Sequence, residues 1–342
     1  MKQITLGSTG ITTPQNAFGA LPIQRVDLDT AVKILRKAYD GGMTFFDTAR
    51  AYSDSEEKLG AAFAGIRENL FIATKTHATT PEGFWADLET SLHNLRTDYI
   101  DLYQFHMPAQ CFRPGDGTGM YECMLEAKAQ GKIRHIGMTN HRIQVAMEAV
   151  ESGLYETMQF PFSYLASEKE LALVKACQAR NMGFIAMKAL AGGLINNSAA
   201  AFAYISQFDG VLPIWGIQRE TELSEFLSYM ENPPALTGAL QAVIDHDREE
   251  LVGDFCRGCG YCMPCPMGIE ISSCARMSLM LRRAPSAMNL TEDAQAMMQK
   301  IETCLHCGQC SSRCPYQLDT PALLQKNLED YKNVLAGKVS VG

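Results

Sequence analysis

Twelve cysteines are distributed very unevenly along the 342 residues of this chain. Only Cys111, Cys123 and Cys177 lie in the first 250 residues. Eight of the others form two tight runs, each closed by Cys-Pro: Cys256, Cys259, Cys262 and Cys265, then Cys304, Cys307, Cys310 and Cys314. The opening residues contain no apolar stretch of the kind found in secretory signals, so a disulfide framework is not expected. The placement favours metal binding.

The spacing within the runs indicates which metal group they bind. Three cysteines at every third position let a short loop wrap one corner of an iron–sulfur cubane, while the cysteine before proline ligates the neighbouring cluster. Zinc, the alternative, is usually held by two separated cysteine pairs. We therefore predict two [4Fe–4S] clusters, one on Cys256, Cys259, Cys262 and Cys314, the other on Cys304, Cys307, Cys310 and Cys265. The first run is one residue shorter before its last cysteine, which leaves the crossed position of Cys265 open. Cys274 lies outside both runs and is expected to be a small buried residue.

The first 245 residues alternate short apolar runs with amphipathic helical patterns. Nearly continuous apolar runs are typical of parallel strands that are buried on both faces. The predicted strands are 16–20, 44–47, 70–75, 100–106, 133–138, 157–160, 183–187 and 211–215. Eight such units over about 230 residues predict a (β/α)8 TIM barrel. A doubly wound sheet is the alternative, but no Gly-x-Gly-x-x-Gly follows the first strand.

The predicted domains are a barrel at 1–245 and a small, mainly helical iron–sulfur domain at 246–342. The charged stretch 245–254 is interpreted as the linker, and the residues before the first strand as a hairpin plugging the base of the barrel. Ser53 and Glu56 have the spacing of a capping box that opens a helix.

Charge and hydropathy argue against nucleic acid and membranes as partners. The net charge of −8 argues against nucleic acid or an anionic membrane as the main partner. The most apolar region, 183–195, is too short to span a bilayer and contains Lys188. Together with the absence of a signal peptide, these features predict a cytoplasmic protein.

Four polar residues stand at or just after successive strand ends, where barrels of this kind place their chemistry. They are Asp47 and Tyr52 after the second strand, Lys75 in the third and His106 in the fourth. Asp47 is expected to pair with Lys75, and the lysine to lower the pKa of Tyr52. His106 would orient a carbonyl oxygen, and Tyr52 would donate the proton as hydride arrives on carbon. Each residue alone also has an ordinary structural interpretation; the set of four favours catalysis.

These residues lie in motifs that resemble the aldo-keto reductases. The motifs are Phe-Phe-Asp-Thr-Ala-x-x-Tyr ending at Tyr52, Ala-Thr-Lys-Thr around Lys75, Asp-Leu-Tyr-Gln-Phe-His ending at His106, and Ile-Arg-x-Ile-Gly-Met-Thr-Asn ending at Asn140. The resemblance covers roughly residues 1–230, and the cysteine-rich end resembles the subgroup with a ferredoxin-like tail. It implies carbonyl reduction with a nicotinamide cofactor, bound without a glycine-rich motif.

The resemblance also implies the cofactor contacts. Thr139, Asn140 and Gln159 correspond to the family's carboxamide contacts, and Met187 replaces an aromatic that commonly stacks on the nicotinamide. Arg219, Glu222 and Glu225 fall in the segment that binds the adenosine end. Glu222 stands where many NADPH-dependent members have arginine, and its charge would repel a 2′-phosphate, although Arg219 is near enough to compensate. NAD(H) is therefore slightly favoured over NADP(H), and an ordinary capped surface helix is the alternative interpretation.

The sequence leaves the role of the clusters open. They could relay single electrons, either to a redox partner protein or through a flavin, for which the sequence shows no motif. They could instead act as structural staples of a small domain. A third interpretation is an electron-transfer protein on a barrel that has lost its chemistry, against which the intact set of four residues argues. The substrate is predicted to be a small carbonyl or alcohol, with Leu21, Arg50, His77, His141 and loop 107–117 as candidate contacts.

Overall fold

The computed structural model describes residues 1–251, 255–283 and 286–341, and the chain forms two compact units. The barrel unit comprises Met1–Ala189 and Phe202–Thr237. The cysteine unit comprises Leu190–Ala201 and Gly238–Gly342. The division therefore falls at Gly238 rather than after residue 245, and the segment Leu190–Ala201, placed in the barrel by sequence, groups with the cysteine unit.

The predicted (β/α)8 barrel is confirmed. Two strands form a preceding hairpin, β1 (Gln3–Thr5) and β2 (Thr12–Pro14). The barrel strands are β3 (Ala17–Gly19), β4 (Phe45–Asp47), β5 (Phe71–Thr76), β6 (Ile100–His106), β7 (Ile133–Thr139), β8 (Thr157–Pro161), β9 (Gly183–Met187) and β10 (Val211–Gly216). Each pairs in parallel with its neighbours in chain order, and β10 pairs with β3 to close the barrel. All eight predicted strands are present, with ends that differ by at most one residue.

One helix follows each barrel strand. The helices are α1 (Leu28–Asp40), α2 (Ser55–Ala62), α3 (Pro81–Leu95), α4 (Met120–Ala129), α5 (Ile143–Ser152), α6 (Glu168–Ala179), α7 (Ser198–Ile205) and α8 (Glu220–Glu231). Their ends follow local chemistry: Asp27 accepts from the Thr30 amide at the start of α1, and Thr80 accepts from the Gly83 amide at the start of α3. Among residues 1–251, 255–283 and 286–341, no helix has the length and apolar character needed to cross a bilayer.

The hairpin fills the amino-terminal end of the barrel, as the sequence predicts. Ile4, Leu6 and Ile11 are buried in one apolar cluster with side chains from the barrel strands: Ala17, Phe45, Ala73, Leu102, Ile185, Leu212 and Ile214. Burial of this apolar surface seals that end, so the chemistry of the barrel is left to the opposite, carboxyl end of the strands.

The predicted capping box of Ser53 and Glu56 is wrong. Helix α2 begins at Ser55 without a side-chain cap, and the Ser53 hydroxyl donates to Gln24. Glu56 is fully buried, and its carboxylate accepts from Thr74 and Ser91 at 2.7 Å each. The buried carboxylate on α2 accepts from hydroxyl groups on β5 and α3. It is therefore not available to cap the helix, although its spacing from Ser53 fits a capping box.

The cysteine unit is mainly helical. Its helices are α9 (Gly238–Glu250), α10 (Ile271–Cys274), α11 (Met277–Arg283), α12 (Glu292–Gln299), α13 (Gln309–Ser312) and α14 (Thr320–Leu335). Cys256, Cys262 and Cys310 share an apolar core with side chains such as Leu324 and Tyr331. The linker predicted at 245–254 is wrong for residues 245–250, which belong to α9; residues 252–254 lie outside the described residues.

Gly60 lies where α2 packs against the backbone of α3, and it supports a first prediction. A Cβ at this position would lie 2.1 Å from the Asn94 carbonyl oxygen, a backbone atom that cannot rotate away. Alanine gains about 1 kcal/mol in a helix interior, but overpacking against a fixed backbone atom at this distance lies at the upper end of its usual range, about 3 kcal/mol or more. We expect Gly60→Ala to lower the free energy of unfolding by at least about 1 kcal/mol, measured by urea unfolding followed by circular dichroism. Gly83→Ala in α3 is the control, because its Cβ would meet nothing closer than 3.4 Å, and equal midpoints for the two variants would contradict the prediction.

Candidate functional site

The pairing register of the strands brings the predicted site residues into neighbouring positions. His106 on β6 is paired with Thr139 on β7, and Thr139 is paired with Gln159 on β8. Asp47 ends β4, and Lys75 is the penultimate residue of β5. The site is thus built from the carboxyl ends of successive parallel strands, where a barrel presents its side chains to the mouth.

Asp47 and Lys75 form a buried ion pair. Lys75 Nζ donates to both carboxylate oxygens of Asp47, at 2.7 and 2.8 Å, and to the Thr48 carbonyl oxygen at 2.6 Å. Both side chains are almost completely buried. Burial raises the pKa of Asp47 and lowers the pKa of Lys75, and the ion pair opposes both shifts. Three hydrogen bonds therefore fix the ammonium group at one point of the mouth.

Tyr52 and two histidines stand beside this pair. Lys75 Nζ lies 5.3 Å from the centroid of the Tyr52 ring, and the Tyr52 and His106 rings meet edge to face with centroids 5.8 Å apart. The His77 ring stacks on the His106 ring, with centroids 3.9 Å apart. The structure thus brings together all four residues that the sequence singled out, and His77 packs directly against one of them.

The pKa of Tyr52 moves opposite to the sequence expectation. Burial raises it above its ordinary value, and the negative charge of Asp47 raises it further. The lysine was expected to lower this pKa, but its charge is largely neutralised by the carboxylate that it contacts. Tyr52 is therefore a protonated phenol at neutral pH, poised to donate to a stronger base such as a forming alkoxide.

The histidines near the mouth are held neutral. Burial lowers the pKa of His106 well below its ordinary value, and Lys75, His77 and His141 add to the effect. Burial likewise lowers the pKa of His141, assisted by Lys188. Nδ1 of His106 is buried and has no hydrogen-bond partner among the described residues. A neutral imidazole can donate one N–H to a substrate oxygen without carrying charge.

Three of the predicted cofactor contacts converge at the ends of β7, β8 and β9. The Thr139 hydroxyl lies 3.8 Å from Met187 Sδ, and the Gln159 amide nitrogen lies 3.9 Å from the same sulfur. A thioether is a weak acceptor, so the Thr139 hydroxyl can take a stronger partner such as a carboxamide. The Gln159 side chain also hydrogen-bonds to Asp47. Gln104, which the sequence did not single out, donates to Gln159 Oε1 at 2.9 Å and orients that side chain.

Asn140 has different contacts. Its amide nitrogen donates to the Pro108 carbonyl oxygen, and its side-chain oxygen accepts from the amides of His141 and Arg142, all at 2.9 Å. The side chain thereby fixes the loop between β7 and α5. Contact of Asn140 with the carboxamide of a nicotinamide stays a prediction.

The segment predicted to bind the adenosine end forms the start of α8. Glu222 accepts from the Gln218 and Arg219 amides at 2.9 and 3.0 Å, and pairs with Arg219 Nε at 3.0 Å. This is the capped surface helix that the sequence offered as the alternative, although it is compatible with dinucleotide binding as well. Glu225 is exposed one turn further on, where it accepts from Tyr229 at 3.4 Å.

The candidate substrate contacts differ in how strongly the fold already engages them. Arg50 forms an ion pair with the buried Glu56, so its guanidinium group is engaged within the fold. His77 lies against His106, and Leu21 keeps 41% of its surface exposed. Tyr155 donates to the Phe112 carbonyl oxygen at 2.7 Å, which ties loop 107–117 to the barrel unit.

The two cysteine runs surround two cavities within the cysteine unit. The first cavity is lined by Cys256, Cys259, Cys262 and Cys314. The second is lined by Cys265, Cys304, Cys307 and Cys310, with Cys262 at its edge. Each set draws three cysteines from one run and the last cysteine from the other. Four thiols around a space of this kind suit a four-iron cluster.

Comparison with known proteins identifies the larger unit. Residues 3–209 match the model of the aldo/keto reductase family. The chain belongs to this family. Residues 255–319 of this aldo/keto reductase match a second model, the 4Fe-4S dicluster domain.

Curated relatives match part of this aldo/keto reductase. It is 31% identical to aldo-keto reductase YhdN of Bacillus subtilis, over 57% of this chain and 64% of that protein. It is 36% identical to methylglyoxal reductase DkgB of Salmonella typhi, over 47% of this chain and 62% of that protein. The matched segment thus spans somewhat less than two thirds of the length of these relatives.

Solved structures share the fold at lower identity. Aldo-keto reductase AKR11C1 from Bacillus halodurans, in its holo form, superposes with a TM-score of 0.64 at 22% identity, covering 72% of this chain and 96% of that one. An aldo-keto reductase from Klebsiella pneumoniae in complex with NADPH gives a TM-score of 0.61 at 23% identity, covering 72% and 95%.

The protonation states of this aldo/keto reductase site predict a flat pH profile. His106 stays neutral as the pH falls to its ordinary pKa, and Tyr52 stays protonated as the pH rises towards its own. We expect kcat/KM for carbonyl reduction to show no inflection between about pH 6.5 and about pH 9. Initial rates across this range test the prediction, with enzyme preincubated at each pH and assayed at neutral pH as the control. An apparent pKa between these limits would show that a titrating group controls proton transfer.

Proposed function

We propose that this chain reduces small aldehydes and ketones with hydride from a nicotinamide cofactor, and that its cysteine unit binds two [4Fe–4S] clusters. The observation that carries the first part is the buried Asp47–Lys75 pair, set beside the Tyr52 and His106 rings at the carboxyl ends of the barrel strands. This arrangement can place a proton donor and a neutral hydrogen-bond donor against one carbonyl oxygen.

The proposed chemistry adds a hydride and a proton across the carbon–oxygen double bond. A reduced nicotinamide supplies the hydride when it is bound. His106 donates an N–H to the carbonyl oxygen and polarises the bond. Tyr52 transfers its phenolic proton to that oxygen as negative charge develops there, and the phenolate regains a proton from solvent. Because an alkoxide is a stronger base than a phenolate, the raised pKa of Tyr52 does not prevent this transfer. Lys75 and Asp47, held together by their hydrogen bonds, fix the position of the ammonium group beside the Tyr52 ring.

Thr139, Gln159 and Met187 are proposed to hold the carboxamide and face of the nicotinamide. Their mutual contacts through a weak sulfur acceptor support this role, because a carboxamide would form better hydrogen bonds. The NADPH complex of the Klebsiella pneumoniae structure supports a nicotinamide here. Both dinucleotides remain candidates: Glu222 disfavours a 2′-phosphate, while Arg219 at the start of α8 favours it.

A small carbonyl compound is the proposed substrate class. Relatives from Salmonella typhi and Escherichia coli are methylglyoxal reductases. Methylglyoxal is therefore the first compound to assay, anaerobically, with NADH and NADPH in separate reactions. We expect dinucleotide oxidation only after the carbonyl is added. Oxidation at the same rate without any carbonyl would contradict the proposal.

A second function, electron relay through the clusters, is favoured by the exposure of Cys307. Among the proposed ligands, Cys256, Cys262 and Cys310 are buried, whereas Cys307 is exposed, so the second cluster would lie near the surface of its unit. If the clusters relay electrons from the nicotinamide through a flavin that accepts the hydride and passes on single electrons, Cys307→Ser should abolish reduction of a one-electron dye by NADH or NADPH while methylglyoxal reduction continues. Persistence of dye reduction at normal stability would exclude the relay. Cys274→Ser, a cysteine outside both runs, is the matched control.

A further inference from the structure

Arg276 occupies a position between the first cysteine run and another segment of the same unit. Its guanidinium group fits against two glycines: a Cβ added to Gly258 would lie 2.9 Å from Nη1, and one added to Gly192 would lie 3.1 Å from it. Both glycines have positive φ, +59° and +66°. Gly258 stands between Cys256 and Cys259 in the loop that lines the first cavity. The loop therefore leaves room for the guanidinium directly behind its cysteines.

The hydrogen bonds of Arg276 are incomplete. Nη2 donates to the carbonyl oxygens of Gly192 at 2.6 Å and Ala191 at 3.3 Å. Nε is buried and has no hydrogen-bond partner among the described residues. An unsatisfied N–H on a charged group costs free energy when it is buried, so this donor indicates an acceptor that forms part of the loaded site.

Cys256 is the proposed ligand nearest to this arginine in the chain of contacts, because the guanidinium packs against Gly258, two residues after it. The Gly258 amide lies 3.4 Å from Cys256 Sγ and points at that sulfur. Arg257, which lies within the cysteine run, is engaged elsewhere, because its guanidinium stacks on the Phe255 and Tyr316 rings with 4.6 Å to each centroid.

We propose that Arg276 stabilises the reduced form of the cluster held by Cys256, Cys259, Cys262 and Cys314, through its positive charge and a hydrogen bond from Nε to the sulfur of that cluster. This inference rests on the proposed function, because it requires the clusters to be present. One-electron reduction makes a [4Fe–4S] cluster more negative, and hydrogen bonds to its sulfurs and nearby charge raise its reduction potential. Arg276 thus makes the two clusters unequal, since it packs against the Gly258 backbone of the first cysteine run and no arginine lines the second cavity.

An anaerobic redox titration of the full chain, loaded with iron and sulfide and followed by electron paramagnetic resonance, tests the inference. Arg276→Gln removes the positive charge, while its amide nitrogen takes the position of Nε in the side chain. At the potential where the first cluster of the parent is half reduced, we expect the ratio of reduced to oxidised cluster to fall about tenfold, equivalent to about 59 mV for a one-electron couple. The second cluster should not change. Arg276→Lys lacks Nε but keeps the charge, so its shift should be smaller.

Arg282→Gln is the matched control, since the guanidinium group of Arg282 is engaged by Asp330 and by the Ser278 carbonyl oxygen. Unchanged potentials in an Arg276→Gln protein with full iron and sulfide content would overturn the inference. Where that variant fails to load, the parent labelled with ¹⁵N-arginine gives the answer. A hyperfine coupling from ¹⁵N to the reduced cluster that disappears in Arg276→Lys supports the inference, and its absence in the parent overturns it. A parent chain that binds no iron would refute the proposed clusters themselves.

Discussion

Replacing Tyr52 with phenylalanine is expected to lower turnover of a carbonyl substrate by about 10²-fold or more. The substitution removes one hydroxyl and leaves the ring that packs against His106 and lies over Lys75. Without the phenol, the developing alkoxide has no acid beside it, since His106 is neutral and Lys75 is committed to Asp47 and Thr48. Steady-state rates with methylglyoxal measure the effect.

Dinucleotide affinity distinguishes a loss of the proton donor from damage to the folded site. Tyr52 is proposed to act on the carbonyl oxygen alone, so Kd for NADPH or NADH should change little in Tyr52→Phe. Tyr155→Phe is the control, because that buried phenol donates to the Phe112 carbonyl oxygen and has no proposed catalytic role. A Tyr52→Phe enzyme with parental turnover would remove Tyr52 from the acid role.

Removing the iron is expected to unfold the cysteine unit while the barrel unit stays folded. Cys256, Cys262 and Cys310 belong to the apolar core of that unit, and two of its helices, α10 and α13, are four residues long. Without clusters, these buried thiols would have no iron to bind, and the two cysteine runs would lose the links that the clusters provide between them. A small unit of this kind depends on such links, because its apolar core is limited. Binding of the clusters is thus coupled to folding.

Hydrogen exchange measured by mass spectrometry reports on the two units separately. After chelation of the iron, the amides of α14 should exchange like those of an unfolded chain, while those of β6 keep their protection. Cys262→Ala should have the same effect, because Cys262 lines both cavities. Cys274→Ala, whose parent cysteine lies outside both runs, should retain iron. Unchanged protection of α14 in the iron-free protein would show that the unit folds without its clusters.

Much of the fold and of the site follows from patterns that are local in the sequence. The strands are recognisable because strands buried on both faces are continuously apolar, and all seven residues of β6 are buried. Asp47, Lys75 and His106 are recognisable because parallel strands in a barrel bring their carboxyl ends together. The cysteine spacing likewise anticipates the composition of both cavities, including the position of Cys265.

The remaining features depend on what the fold brings near each residue. Glu56 has the spacing of a helix cap, yet it serves hydroxyls on β5 and α3 that are distant in the chain. The pKa of Tyr52 depends on burial and on Asp47, neither of which spacing shows. The segment Leu190–Ala201 groups with the cysteine unit because Arg276, more than eighty residues later, binds its carbonyl oxygens.

Direct transfer of hydride to a carbonyl carbon is the central claim, and an isotope experiment tests it most directly. NADPH or NADH carrying deuterium at the transferable position would be oxidised anaerobically with methylglyoxal in ordinary water, and the alcohol analysed by mass spectrometry. Direct transfer in the barrel site predicts one deuterium on the new carbinol carbon of every product molecule. Alcohol without deuterium would mean that the electrons pass through a flavin or the clusters and that the proton comes from solvent, which would contradict the account.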